Sequence, residues 1–549
     1  MKDNQKLWLK SYPSGVRSHI DYPYKSLGQM FDDTVEKMPD TIAMIFGGQT
    51  VTYRQFGDQV NRFAGALADI GIVRGDRVGL MGPNCPQWEI AFFAILKLGA
   101  IVVQTNPMYI EREIAYQMND AGATTIIVLE MMYPRVKNVI AETALQRVVV
   151  FNFMAPVQQA EGFYSYDELI KHDPVYPVTA INPVEDLAVL QYTGGTTGVS
   201  KGVMLTHLNL IANTLQVIEW SINMEYGNER ILTILPVFHV YGMTDCMNYA
   251  VSLAATQIIL PRFDPDQVLE TIRNYKPTLF PGAPTMFMAL NNHPRIEEYR
   301  ENLAAIKVCT SGSAPLPLEV AQKFTAVTHG EGNLVEGYGL SEASPITHCN
   351  PLDRPTLAGS IGLPLPDTDY VIMDLETGDR EVPVGEIGEL CVRGPQVMKG
   401  YWEKHLETAE TLRNGWLHTG DIGRMDEDGF CFIIDRKKDI IIAGGFNIYP
   451  RDIEEVLYEH PKVKEVVVAG VPDLYRGETV KAYVVLHANM EADEKEIIAF
   501  CKTRMAAFKV PRHVEFRDEL PRTIVGKVLR RKLVEEEKAK LQAAATTES

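Results

Sequence analysis

Between residues 32 and 260, short apolar runs alternate with longer amphipathic ones: VGLM, a helical stretch ending at Lys97, AIVVQT, EIAYQMNDAG and TTIIVL. Strand-length runs separated by helix-length stretches are the pattern of an α/β layer. The next unit, DLAVLQYT, predicts a buried strand that ends at Thr193 and opens into GGTTGVSKG. A helix is expected behind that loop, with Thr206 as its N-cap and Leu208, Ile211, Ala212 and Leu215 recurring at helical spacing. Between residues 359 and 434 the pattern changes to short alternating runs broken by glycines and acidic turns, such as GEIGELCVRG and DEDGFCFII, which predicts a small β subdomain. After Asp439 it changes again. VKEVVVAGV and TVKAYVVL read as strands and residues 493–507 as a helix, together a compact α+β domain of about 110 residues. The last dozen residues are expected to be disordered, and no internal repeat is visible.

At 549 residues the chain exceeds one ordinary core, so several packed subdomains are expected. A composition of 46% hydrophobic and 23% charged residues is that of a globular protein. The net charge of −18 gives no overall field to attract a polyanion, which argues against nucleic-acid binding. An anionic substrate therefore has to be held locally, by lysines, arginines and backbone N–H groups. The seven cysteines are scattered without a C-x-x-C pair and read as reduced thiols. The opening MKDNQKLWLK lacks the apolar core of a secretory signal, and the longest apolar stretch, residues 91–103, contains Lys97 and is too short to span a bilayer. A cytosolic protein is expected. Peripheral contact with the inner face of a membrane stays open, as does a homodimer.

The densest chemistry lies in Thr193-Gly194-Gly195-Thr196-Thr197-Gly198-Val199-Ser200-Lys201-Gly202. Its glycines let the backbone turn tightly and direct N–H groups inward, its hydroxyls add donors, and Lys201 adds a positive charge. Such a loop cradles phosphate. A Walker loop needs glycine immediately before the lysine, and Ser200 stands there. Residues 198–202 also fit G-x-S-x-G, the nucleophile elbow of serine hydrolases, with Ser200 as nucleophile between a strand and a helix. That rival lacks an HGGG-type segment upstream and leaves the glycine–threonine run without a purpose.

The run from Thr193 resembles the phosphate loop of the adenylate-forming enzymes, the superfamily of acyl-CoA synthetases, luciferases and peptide-synthetase adenylation domains. Further segments resemble that family's motifs in order. Leu235-Pro236-Val237-Phe238-His239-Val240-Tyr241-Gly242 is similar to L-P-x-F-H-x-x-G, which implies that His239 lines an acyl pocket. Ser311-Gly312-Ser313-Ala314-Pro315 and Gly337-Tyr338-Gly339-Leu340-Ser341-Glu342 resemble the segments that hold adenine and magnesium. By that resemblance Gly312, Ser313, Ala314, Tyr338, Gly339 and Ser341 face the nucleotide, and Glu342 is the Mg²⁺ ligand. Many relatives carry threonine where Ser341 stands, and the hydroxyl is kept. WLHTGD and DRKKD resemble the ribose-side motifs, implying Asp421 and Arg436 at the ribose and a hinge at Lys438. Residues 440–450, with Gly444 and Gly445, resemble the loop lining the pantetheine tunnel. Pro521-Arg522-Thr523-Ile524-Val525-Gly526-Lys527 resembles P-x-T-x-x-G-K, which makes Lys527 the adenylation lysine.

The resemblance covers nearly the whole chain and, within the superfamily, points to the long-chain fatty acid–CoA ligases of bacilli. It implies ATP, Mg²⁺ and coenzyme A, with a large domain over residues 1–437 and a smaller mobile domain over residues 438–549. The catalytic residues it implies are Lys527, Glu342 and His239. An aryl or other acid is the alternative substrate. The short stretch after Lys527 leaves no room for a carrier domain.

Overall fold

The computed structural model describes residues 6–175, 179–193, 200–328, 334–443, 446–473, 477–523 and 528–547. Two compact units are present: Met1–Tyr370 with Val392–Leu417, and Val371–Cys391 with His418–Ser549.

The first unit is built on two sheets flanked by helices. Among the described residues one sheet has the strand order Gly400–Tyr401, Lys201–Thr206, Leu187–Thr193, Ile101–Thr105, Arg77–Met81, Thr125–Leu129, Arg147–Phe151, Tyr164–Ser165. Its inner parallel strands are buried over most of their length, Ile101–Thr105 and Thr125–Leu129 over all of it, which is why they read as unbroken apolar runs. The second sheet runs Leu363–Pro364, Ile346–Cys349, Leu334–Gly339, Val308–Ser311, Leu279–Gly282, Arg230–Thr233, Thr256–Ile259, Ile42–Phe46, Gln49–Thr52, again with parallel inner strands. The mixed α/β expectation is therefore met.

Helix Pro86–Lys97 is buried on nearly every side, and the lysine that interrupts its apolar run has partners. Lys97 Nζ reaches Asp32 at 2.7 Å and Asn61 at 2.6 Å. On the same helix Glu89 is fully buried, one carboxylate oxygen accepting from Gln257 Nε2 at 2.7 Å and the other without a partner among the described residues. Gln257 belongs to strand Thr256–Ile259, so this bond joins the helix of one sheet to a strand of the other.

Thr206 does cap a helix. Its hydroxyl accepts from Asn209 N–H while Asn209 Oδ1 accepts from Thr206 N–H, starting His207–Trp220. The chain does not pass from the loop straight into that helix, however. Lys201–Thr206 is a strand, antiparallel to Leu187–Thr193 with Thr193 opposite Lys201. KGVMLT is too short and too weakly alternating to announce itself, and its pairing with the preceding strand is what makes it extended.

In the second unit, Val463–Asp473 and Gly477–Leu486 form a long antiparallel pair, and Gly477–Leu486 also pairs with Ile441–Ala443, which leads on to Phe446–Ile448, and with His513–Phe516. Val466 and Val468 enter one core with Val480, Ala482 and Val484, while Val467 and Ala469 enter a second with Tyr483 and Val485. The period of two sends successive valines to opposite faces, and both faces are covered. The α+β expectation holds: the helix expected over residues 493–507 runs from Glu494 to Lys502 behind the cap Asp493, and a further helix, Pro450–Tyr458, precedes it. The chain end departs from expectation: Arg530–Thr547 is helical, since its Ala, Glu, Lys and Leu content is that of a good helix former. All seven cysteines are buried and unbridged, and no described helix is long and apolar enough to cross a membrane.

Burial pushes the Glu89 carboxyl up to about 8, with the Gln257 amide opposing it only in part. Between pH 4.5 and 8 the folded state then keeps a proton that the unfolded chain releases, so stability falls as pH rises through this window. The slope is up to about 1.4 kcal/mol per pH unit. Glu89→Gln removes it. The melting temperature of the variant relative to the parent should be higher at pH 7.5 than at pH 5, and an identical difference at both would show Glu89 ionised throughout.

Candidate active site

The sequence motifs of the first unit converge on the carboxyl ends of neighbouring parallel strands, where open α/β sheets bind ligands. Strand Val308–Ser311 delivers Ser311, Gly312, Ser313 and Ala314, and the adjacent Leu334–Gly339 delivers Tyr338 and Gly339, followed by the turn Ser341–Ala343 that carries Glu342. Two glycines are required by close approach. A Cβ on Gly312 would lie 2.9 Å from Tyr241 Cε1, and one on Gly339 would lie 2.2 Å from Pro345 O. Ser313 takes a positive φ of 72°, and the hydroxyls of Ser311 and Ser313 are buried without a partner among the described residues. Buried hydroxyls in that state are suited to pairing with a bound polar molecule. Tyr338 is half-buried, with its ring edge-on to His348 at 6.1 Å.

Glu342 and Lys201 meet on one aromatic ring that the motif reading did not include. Tyr401 donates its hydroxyl to Glu342 Oε1 at 2.7 Å, and Lys201 Nζ stands 5.1 Å from the centroid of the same ring. Tyr401 is there because Gly400–Tyr401 pairs antiparallel with Val203 and Met204, beside the strand that begins at Lys201. Burial, and then the Glu342 charge, push the Tyr401 phenol far above its ordinary range, so it remains a donor. Nothing in the sequence signals it, because its partners lie about 60 and 200 positions upstream.

His239 is half-buried. Its Nδ1 accepts from Tyr241 N–H at 3.3 Å, which leaves Nε2 as the protonated nitrogen of the neutral ring. Tyr241 then passes beneath Gly312, its hydroxyl 3.2 Å from Thr310 Oγ1 and 3.3 Å from Gly282 O. Thus the His239 segment and the Gly312 segment are brought together through Tyr241, a residue the sequence reading quoted but assigned no part.

Thr193 is the last residue of its strand, and Ser200 donates its hydroxyl to Thr193 O at 2.8 Å. This overturns the hydrolase alternative. A nucleophile elbow is a strand–turn–helix, whereas Ser200 here precedes an antiparallel strand and its hydroxyl closes the base of the loop. Gly194, Gly195, Thr196, Thr197 and Gly198 lie outside the described residues.

In the second unit, Asp421 stands opposite Arg436 across paired strands Trp416–Met425 and Cys431–Arg436, with Arg436 Nε 3.2 Å from the Asp421 carboxylate. Beside them Glu389 receives Lys437 at 3.1 Å and His418 at 3.4 Å. Burial alone would raise the Glu389 carboxyl, but His418 and Lys437 outweigh it and hold it at about 2. Burial likewise pushes Asp435 up to about 6, against the charge of Arg530 3.9 Å away. Arg530 also pairs with Asp439 and Glu454, both at 2.7 Å, and so ties the turn bearing Lys438 to the last helix. Lys438 itself is exposed. Gly444, Gly445 and Lys527 lie outside the described residues.

Comparison with known proteins places this geometry. The family model for "AMP-binding enzyme" matches residues 31–402, and that for "AMP-binding enzyme C-terminal domain" matches residues 452–527. The chain is 48% identical to the long-chain-fatty-acid–CoA ligase of Bacillus subtilis (strain 168), over 97% of this chain and 98% of that protein. Among solved structures it is similar to ATP-bound MatB from Rhodopseudomonas palustris, with a TM-score of 0.84 and 30% identity over 93% of this chain and 99% of that one. It is also similar to the anthranilate CoA ligase AuaEII in complex with anthranoyl-AMP, with a TM-score of 0.85 and 28% identity over 95% and 98%. The chain belongs to the AMP-binding enzyme family.

Proposed function

We propose that this chain is an AMP-forming acid–CoA ligase acting on long-chain fatty acids. Acid and ATP give an acyl-adenylate and diphosphate; the adenylate and coenzyme A then give acyl-CoA and AMP. The observation that carries the reading is the end-to-end likeness to the Bacillus subtilis ligase. The meeting of Lys201 and Glu342 on the Tyr401 ring, and the placing of Tyr338 and the Ser311 and Ser313 hydroxyls at the ends of adjacent strands, support it.

In the first step the acid's carboxylate attacks the α-phosphorus of ATP, diphosphate leaves, and negative charge builds on phosphate oxygens. A chain with a net charge of −18 must meet that charge locally. Backbone N–H groups and hydroxyls from Thr193 to Lys201, the Lys201 ammonium and the Ser341 hydroxyl are the groups assigned to the phosphates. Tyr338 offers an aromatic face to adenine beside Gly312, Ser313, Ala314 and Gly339, and Asp421 accepts from the ribose hydroxyls with Arg436 assisting. Glu342 fits Mg²⁺: it offers a hard carboxylate oxygen, half-buried and already fixed on one side by Tyr401. Bound there, the ion would neutralise phosphate charge.

In the second step the thiol attacks the acyl carbonyl carbon and AMP leaves. His239 is assigned to the acyl pocket, Gly444 and Gly445 to the pantetheine path, and Lys438 to a pivot dividing residues 1–437 from 438–549. That division concerns where the chain turns, not which residues pack together. An aryl acid is the second reading, favoured by the likeness to the anthranilate ligase.

AMP release from ATP, measured with carboxylic acids from acetate to oleate and with and without coenzyme A, tests the proposal. CoA-dependent turnover should peak on long chains; a peak on benzoate-type acids would transfer the case to the second reading, and no acid-dependent turnover would end both. Lys527→Ala should lower acyl-adenylate formation by about a hundredfold or more, the cost of removing one preorganised charge-stabilising group. Thioester formation from supplied acyl-AMP should persist, and equal loss of both steps would remove Lys527 from its role. Lys438→Pro should form acyl-AMP at the parent rate yet fail to pass it to coenzyme A, and normal overall turnover would refute the pivot.

A further inference from the structure

The segment around Tyr401 is fastened at many points. Met398 N–H donates to Glu342 O at 2.8 Å, Lys399 N–H to Met204 O at 3.0 Å, and Trp402 N–H to Gly202 O at 2.8 Å. Trp402 Nε1 reaches Asp120 O at 3.1 Å, and Lys404 Nζ reaches the Asp120 carboxylate at 3.0 Å. Tyr401 itself is 8% exposed, and its own N–H donates to Thr408 Oγ1 at 2.9 Å. Its ring is thereby fixed, with opposite charges at two of its sides. Glu342 accepts at the hydroxyl, and Lys201 stands over the face. Among the described residues Lys201 forms no ion pair, and the second oxygen of Glu342 accepts no hydrogen bond.

An ammonium and a carboxylate brought into contact attract each other, the more so away from bulk water. Paired together, each would be withdrawn from an incoming ligand: the lysine from phosphate, the glutamate from a divalent cation. A tyrosine between them satisfies both without joining them. Its hydroxyl gives the carboxylate one neutral hydrogen bond, which orients the remaining oxygen. Its ring face gives the ammonium a cation–π contact that neutralises none of its charge and that phosphate can displace.

We propose that Tyr401 is a positioning residue for Mg·ATP: it keeps Lys201 and Glu342 apart and ready, the hydroxyl setting the carboxylate for the metal and the ring holding the lysine for phosphate. This rests on the ligase reading above. The two halves of the role reside on different atoms, so two substitutions separate them. Tyr401→Phe keeps the ring and loses the hydroxyl; Tyr401→Ala loses both.

Mn²⁺ binding to protein saturated with α,β-methylene-ATP, followed by electron paramagnetic resonance, reads the metal side without turnover. Tyr401→Phe should weaken Mn²⁺ binding about tenfold or more, as loss of a group that orients a metal ligand does. Binding of the same nucleotide analogue in EDTA should stay within about twofold of the parent for Tyr401→Phe and weaken about tenfold for Tyr401→Ala, in line with losing a cation held for phosphate. Parent-like Mn²⁺ binding by Tyr401→Phe, or equal behaviour of the two variants in EDTA, overturns the proposal. An unchanged melting temperature of Tyr401→Phe excludes a folding defect as the cause. Acid-dependent AMP release by the parent protein, measured alongside, tests the underlying reading. If it is absent, that reading fails and the proposal with it; if it is present while Tyr401→Phe titrates like the parent, only the proposal fails.

Discussion

Where parallel strands end inside a protein, their last carbonyls and the loops that follow are taken out of water with no ladder to pair them, and each orphaned group costs about 1–3 kcal/mol. In the first unit this need is met by buried amide side chains, and the position of the candidate site follows from them. Asn84 donates to Leu235 O at 3.0 Å and Leu260 O at 3.3 Å, and accepts from Val237 N–H at 2.9 Å. Gln104 donates to Val237 O at 3.2 Å. The stretch that carries His239 and Tyr241 is therefore held in place by Gln104, on a strand of the other sheet, and by Asn84, in the loop after the neighbouring strand.

The same device recurs on helix His207–Trp220. Asn209 donates to Pro395 O and Val397 O at 2.8 and 2.9 Å, Asn213 to Ile346 O at 2.7 Å, and Gln216 to Pro366 O at 2.7 Å. Through Asn209 the helix holds the chain just before Tyr401; through Asn213 it holds the chain just after Glu342. Hydrogen bonds have narrow geometric tolerance, so such pins fix loops more sharply than apolar packing would. A site assembled from distant segments needs that sharpness.

What could be read beforehand follows the range of the forces involved. Buried strands such as Ile101–Thr105 and Thr125–Leu129, and the Thr206 cap, are written locally, in unbroken apolar runs and in a side chain that closes on its own helix. Lys201–Thr206 was missed because an antiparallel neighbour, not its own pattern, makes it a strand. The same holds for the site. Glu342, Lys201 and Gly312 lie in motifs, so family resemblance reached them, whereas Asn84, Gln104 and Tyr401 look like ordinary residues until their partners are known. The terminal helix shows the opposite error: polarity at a chain end suggested disorder, although the helix-forming preference of Arg530–Thr547 was present in the same residues.

The cations of the motif segments differ in what they rest on, and the difference bears on chemistry. In the second unit Arg436, Lys437 and Arg530 each rest on carboxylates, which suits groups that brace a turn. In the first, Lys201 rests on a ring. An ion pair with a buried partner is costly to break, since separation leaves a charge unpaired in a poor solvent. A lysine so paired would offer phosphate little. A lysine on an aromatic face keeps its full charge and loses only a weak contact when an anion arrives. In a chain whose overall charge repels polyanions, the useful positive charge is the one that acidic neighbours have not already neutralised, and the fold supplies it by placing tyrosine where an aspartate or glutamate would have silenced it.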